Sequence, residues 1–197
     1  MLSALPFHAA GPFEDTDCTK KYLLDKYISS YTPTLGALID AQSSCRNGEE
    51  SPALVVCDTS LSSAKKDIRS IKNCGIQTKL LSSKASHDAK PPNAESAFLS
   101  ACHTAEQPLN FTFDEVLHLA AAMQFSGFRS VIRSMWELLD VGGPFFAKTV
   151  YEYMCDCDEG EARYKRAAAG LRKAAIELKT RDDIRAERWV NLIHIGA

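Results

Sequence analysis

The sequence predicts an α/β domain in which a mostly parallel sheet is flanked by helices. Two patterns lead there. Short continuous apolar runs, such as Ala53-Leu54-Val55-Val56-Cys57, suit strands buried on both faces of a parallel sheet. Between them lie stretches with apolar residues at helical spacing, such as Leu61, Ala64, Ile68 and Ile71. The length of 197 residues fits one domain with a sizeable core, and no internal repeat interrupts it.

Taken in order, Lys26 to Tyr31 reads as a short strand. Thr32-Pro33 then opens a helix, with Thr32 as N-cap, Pro33 at the first helical position, and Leu35, Leu38 and Ile39 as its apolar stripe. Ala53 to Cys57 is a central strand. The Leu61–Ile71 helix follows, ended by Gly75 as a left-handed cap. Ile76 to Leu81 is the next strand. Residues 82–94 are polar and contain Pro91-Pro92, so they read as a link. Ala97 to Ala101 forms a short buried strand with Cys102 at its carboxyl end. Thr112 and Glu115 form a capping box for a strongly apolar helix that Gly127 ends. Ser130 to Trp136 is a strand. Gly142-Gly143-Pro144 introduces a helix with Phe146, Val150 and Tyr153 facing inward. Residues 160–180 form an amphipathic helix with Leu171, Ala174, Ala175 and Leu178 on one side. Trp189 to Ile195 is the final edge strand.

Composition excludes several classes. Apolar residues at 45% and charged residues at 24% describe an ordinary globular chain rather than a disordered one. A net charge of −2 offers no basic field for a nucleic-acid backbone. No apolar run is long enough to span a bilayer, and the first residues lack the pattern of a signal peptide. The expectation is a cytoplasmic protein whose seven cysteines are thiols. Only Cys155-Asp156-Cys157 is close-set, with no second pair at ligand spacing, so it reads as an acidic surface loop rather than a metal site. No cofactor is expected.

Ligands and chemistry in open α/β sheets collect at the carboxyl ends of strands. Cys102 falls there, followed by the polar turn His103-Thr104-Ala105. A cysteine beside free backbone amides can act as a nucleophile, although a free cysteine is more often a small buried hydrophobe.

The stretch from Asn93 to Ala105, centred on Ser100-Ala101-Cys102-His103, resembles the nucleophile strand of the CHAT family. These are caspase-like domains often fused to tetratricopeptide repeats. Four further blocks are similar, in order: Leu5 to Gly11, Asp25 to Leu35, Asp114 to Ile132 continuing to Met135-Trp136, and Glu187 to Ala197, the last with a fungal-type character. The resemblance implies a caspase-like three-layer sandwich over residues 1–197, a protein or peptide as substrate or partner, and a Cys–His endopeptidase dyad. In that dyad the imidazole keeps the thiol deprotonated and then protonates the leaving amine. Only Cys102 carries over, as the nucleophile.

The family places a strand ending in His-Gly between its second strand and the nucleophile strand. Here the polar link 82–94 stands in that place, without an apolar run or a His-Gly pair. The comparison therefore implies a partial CHAT domain lacking one central strand, the catalytic histidine and one oxyanion amide. Loss of that strand would leave two buried edges unpaired unless the Val55 and Phe98 strands close up directly. His103 is adjacent to Cys102, and adjacent strand residues point to opposite faces. His87 lies in the polar link, with a loop able to swing over the site. His118 lies inside a helix, and His8 and His194 lie near the termini; each reads as structural. Three readings follow: an impaired peptidase fold serving as a binding or scaffold domain; an active cysteine endopeptidase using His87 or His103; and an α/β interaction domain without peptidase ancestry. Any tetratricopeptide region would lie elsewhere.

Overall fold

The computed structural model describes residues 5–12, 21–43, 53–56, 62–74, 78–81, 95–99, 114–136, 143–158, 161–181 and 184–197. Their elements run α1 (Leu23–Lys26), α2 (Leu35–Ser43), β1 (Ala53–Val56), α3 (Ser62–Asn73), β2 (Thr78–Leu81), β3 (Ser96–Leu99), α4 (Asp114–Phe125), β4 (Ser130–Ser134), α5 (Gly143–Cys155), α6 (Ala167–Lys179), α7 (Ala186–Trp189) and β5 (Leu192–Gly196). The strands form one sheet in the order β2-β1-β3-β4-β5. β1 to β4 are mutually parallel where they pair, and β5 is antiparallel to β4. The fold is thus mixed α/β, as the alternation of apolar runs and helical stripes predicts.

Side chains alternate across the strands and build a core on each face. Phe98 and Ile132 enter the larger core with Ile71 of α3, Phe146 and Val150 of α5, and Leu171 and Ala174 of α6. Their neighbours Ala97 and Val131 enter the second core, with Ala120 of α4 and Ile193 and Ile195 of β5. Helices therefore cover the sheet on both faces.

β1 and β3 pair directly, with Leu54 opposite Ala97 and Val55 opposite Phe98. β5 ends the strand order, as expected of an edge. Its outer side is met by Tyr31, which forms an isolated parallel bridge to Ile195. This bridge is all the regular pairing found in the stretch read as a strand, Lys26 to Tyr31. Lys26 itself closes α1, a four-residue turn held from α6. Arg172 donates to the carbonyls of Leu24 at 2.6 Å and Asp25 at 2.8 Å. Lys179 pairs with the Asp25 carboxylate.

Several boundaries move. α2 begins two residues later than Pro33 predicts, because Thr34 is the residue whose hydroxyl accepts from the Ala37 amide, at 3.0 Å. The expected stripe is also rotated. Ala37 and Ala41 are buried, whereas Leu35 and Ile39 are 69% and 54% exposed. Small residues spaced four apart let α2 lie close to its neighbours. On α5, Phe146 and Val150 are buried as expected, but Tyr151 and Met154 complete the face. Tyr153 is half-buried, its ring covered by the Arg166 guanidinium at 4.6 Å. The long helix over residues 160–180 resolves into a 3-10 turn, Arg163–Arg166, followed by α6. Leu171, Ala174, Ala175 and Leu178 form its buried side. Trp189 belongs to α7 rather than to the last strand. Gly127 follows the end of α4, as the sequence predicts, and has φ +101°. Gly75, the link 82–94 and the cap residue Thr112 lie outside the described residues.

Candidate functional site

The parallel register places Val56, Leu99 and Arg133 in one row across β1, β3 and β4, so these strands present their carboxyl ends together. β3 is central. The end of β4 is closed by Asn191, whose buried side-chain oxygen accepts the amides of Met135 at 3.1 Å and Trp136 at 3.0 Å. Cys102 follows β3 by three residues and lies outside the described residues, as do His87 and His103. His118 lies on α4; its side chain is not described.

The two remaining histidines are both engaged in the frame. His8 sits in a 3-10 turn, Phe7–Ala9, and is 9% exposed. The Tyr31 hydroxyl accepts its backbone amide at 3.2 Å and lies 2.9 Å from its Nδ1. Burial holds His8 below the ordinary histidine range.

His194, in mid-β5, is 1% exposed. Its Nδ1 is 2.8 Å from Ser30 Oγ and its Nε2 is 2.9 Å from Ser130 Oγ. Ser30 gives its proton to the Gly196 carbonyl at 2.6 Å. His194 Nδ1–H must therefore donate to Ser30, and Nε2 accepts from Ser130. Burial pushes the imidazole down to about 4, so it is neutral. This Ser–His–Ser chain is sealed in the core, with Ser130 and His194 each 1% exposed, so the Ser130 hydroxyl that donates to Nε2 is closed to a substrate. Ser130 also begins β4, so the ring is committed toward the end of the sheet opposite the carboxyl ends of β3 and β4.

The cavity shared by His8, Leu24, Tyr31, Leu171 and His194 is about 20 Å³, room for about one water. A wider cleft of about 480 Å³ is lined by Asn73, Cys74, Lys148, Glu152 and Cys155. Its thiols are poorly activated. Burial, reinforced by Cys74, pushes Cys155 up to about 11, and burial with Glu152 raises Cys74. A nucleophilic cysteine requires the opposite shift. Cys74, Cys155 and Cys157 are free thiols. Among the described residues, no three His, Cys, Asp or Glu side chains converge to hold a metal. No described helix is long and apolar enough to cross a membrane.

The sequence reading missed Arg133. It sits inside the apolar run Ser130–Ser134 and is 4% exposed. Among the described residues, its Nη1 donates to the Ser134 carbonyl at 3.4 Å and its buried Nε meets no partner. The only available signal was an arginine in mid-strand.

The fold and this sheet end define a mixed α/β domain whose strand carboxyl ends form the candidate site. The CHAT domain model matches residues 77–197, more than half of the chain, and the protein belongs to that family. The match takes in Cys102 and the blocks from Asn93 onward; the Leu5 and Asp25 blocks lie before it. No curated protein matches the chain.

Proposed function

We propose that residues 1–197 form one partial CHAT domain of caspase-like, fungal-type architecture, in which Cys102 occupies the nucleophile position without its histidine. The domain acts as a cytoplasmic binding or scaffold module for a protein or peptide, with impaired peptidase chemistry. The observation that carries this reading is the direct pairing of β1 with β3, Val55 opposite Phe98. It leaves no position between them for the His-Gly strand that the resemblance puts there, and residues 82–94 supply no apolar run to build one. The engagement of His8 with Tyr31 and of His194 with two serines supports it further.

An unpartnered Cys102 should titrate as an ordinary thiol and be mostly protonated at neutral pH. A cysteine-directed electrophilic probe at pH 7 tests this. The expected result is labelling of Cys102 no faster than that of the other exposed thiols. Labelling at least tenfold faster, lost in H87A or H103A, would replace this reading with that of an active endopeptidase using the substituted histidine.

A further inference from the structure

Two thiols meet where α3 and α5 end. Cys74 follows the last residue of α3, and Cys155 is the last residue of α5. Beneath them the helices share one core, with Ile71 packed among Phe146, Val150 and Met154, and both cysteines lie half-buried against it. Both line the cleft of about 480 Å³, beside the Lys148–Glu152 ion pair at 3.8 Å. The two thiol side chains share a hydrogen bond. Cys74 Sγ gives its own proton to the Ser70 carbonyl at 3.3 Å, so the polar contact runs from Cys155 through Cys74 into the last turn of α3.

Thiols in contact are prepared for a disulfide, since side-chain rotation can close the gap to the S–S length of about 2.0 Å. Holding both in one cleft gives them a high effective concentration toward each other, which favours one internal bond over two mixed ones. The cleft beside them is wide enough to admit a small molecule to the sulfurs. Burial keeps both thiols protonated at neutral pH, so exchange there is slow. The same burial withholds the thiolate stabilisation that makes a dithiol pair strongly oxidising, so the disulfide is retained once formed.

We propose that Cys74 and Cys155 form a reversible dithiol–disulfide site whose oxidant is a low-molecular-weight disulfide of the glutathione type. The Cys74 thiolate attacks the small disulfide, its S–S bond breaks, and one small thiol leaves with a proton. The Cys155 thiolate then attacks the Cys74 sulfur and releases the second small thiol. The protein loses two electrons and two protons, and the small disulfide gains them. The new bond pins the end of α3 to the end of α5 and closes a loop that contains β2, β3, α4, β4 and Cys102. The site goes beyond the peptide-binding reading and does not rest on it.

Oxidised glutathione added to the reduced full chain at pH 8.5, followed by alkylation, trypsin and mass spectrometry, tests the proposal. Cys74 falls in tryptic peptide 73–79, and Cys155 with Cys157 in peptide 149–163. The expected product is a link between these two peptides, at least tenfold in excess of any other cysteine pairing and removed by dithiothreitol. C157S should keep the link, and C74S and C155S should lose it. The oxidised wild-type chain should unfold at a higher urea concentration than the reduced one, a difference absent from C155S.

Retention of the link in C155S would assign it to Cys157 and overturn the proposal. So would a Cys74 linked mainly to any other cysteine, a Cys155–Cys157 bond as the main product, or glutathione adducts that never resolve to the internal bond. A chain that stays fully reduced would overturn it as well. Mapping of the wild-type and C157S chains decides the matter if C74S or C155S fails to fold.

Discussion

Val55 of β1 and Phe98 of β3 are Cα partners in a parallel ladder that runs from Leu54 opposite Ala97 to Val56 opposite Leu99. Unpaired strand edges inside a sheet would expose backbone donors and acceptors and invite aggregation. Direct closure removes that cost, and Phe98 completes it by packing 5.9 Å from Tyr151, ring centre to ring centre. Native-state hydrogen exchange should therefore find the amides of Leu54–Val56 and Ala97–Leu99 protected together, among the slowest in the chain. Exchange of either set at unfolded rates would remove the ladder and the proposal that depends on it. Phe98→Ala should cost about 3–5 kcal/mol in urea unfolding.

Stability should fall on mild acidification, and His194 gives the direction. Its folded-state value of about 4 lies below the ordinary 6.5. Above the ordinary value both folded and unfolded chains hold it neutral, so it exerts no pull. As pH drops from about 6.5 toward 4, the unfolded chain takes up a proton that the folded chain refuses. The resulting loss grows to about 3 kcal/mol. His8, also lowered by burial, adds to the loss in the same direction. Urea midpoints at pH 7.0, 5.5 and 4.5 check this; a flat profile would contradict the buried neutral ring. Ser130→Ala should cost about 1–3 kcal/mol at pH 7, because Nε2 then remains buried without its donor.

Much of the frame was legible because the deciding signals are local. Ala97-Phe98 and Val131-Ile132 are continuous apolar pairs, the expected mark of a strand buried on both faces. Leu171, Ala174, Ala175 and Leu178 carry the helical period outright. The failures have different causes. Thr32-Pro33 and Thr34 compete as starts for one helix, and the choice depends on which hydroxyl reaches the Ala37 amide. Tyr151 and Tyr153 are separated only by where α6 presses on α5, a tertiary fact. His194 reads as a terminal histidine until Ser30 and Ser130, both far away in the chain, close on its two nitrogens. Arg133 in a strand reads by default as solvent-facing; only the sheet position and the covering of both faces make it buried. The position of Cys102 rests on resemblance and on the existence of β3, since its own surroundings fall outside the described residues.

Gly196 should be intolerant of any side chain. It has φ +126°, and a Cβ there would lie 2.0 Å from the Arg129 carbonyl oxygen and 2.9 Å from Gln124 Nε2. The same turn carries the Ala197 amide to the Arg129 carbonyl at 3.0 Å and the Gly196 amide to Tyr31 at 2.9 Å. Neither the backbone angle nor the contact can relax without releasing β5 from the Arg129–Ser130 end of β4. Gly196→Ala should therefore cost at least about 2 kcal/mol by denaturant unfolding, whereas Ala197→Gly should cost less than about 1 kcal/mol. Similar losses for both would remove the steric argument.

The attachment of α1 to α6 should depend on charge and be separable from the sheet. Burial alone would raise the Asp25 carboxyl, but Lys179, together with the Tyr22 and Lys21 amides, holds it below the usual carboxylate range. The Lys179 ammonium also lies 4.5 Å from the Tyr22 ring, so one cation serves a carboxylate and an aromatic face. Because the folded value is depressed, this contribution is present at neutral pH and disappears as pH falls through the carboxylate range. Arg172 acts differently, giving its donors to two carbonyls at the end of α1, and Arg172→Ala should cost about 2 kcal/mol. Lys179→Met should weaken the same junction and flatten its acid dependence. Limited proteolysis distinguishes the two effects from global unfolding: both variants should become more cleavable around Lys21 to Tyr27 while α5 and α6 remain resistant. Uniform cleavage of the whole chain would mean that α1 is part of a single cooperative unit with the sheet, and the junction would then be as central to stability as the β1–β3 ladder.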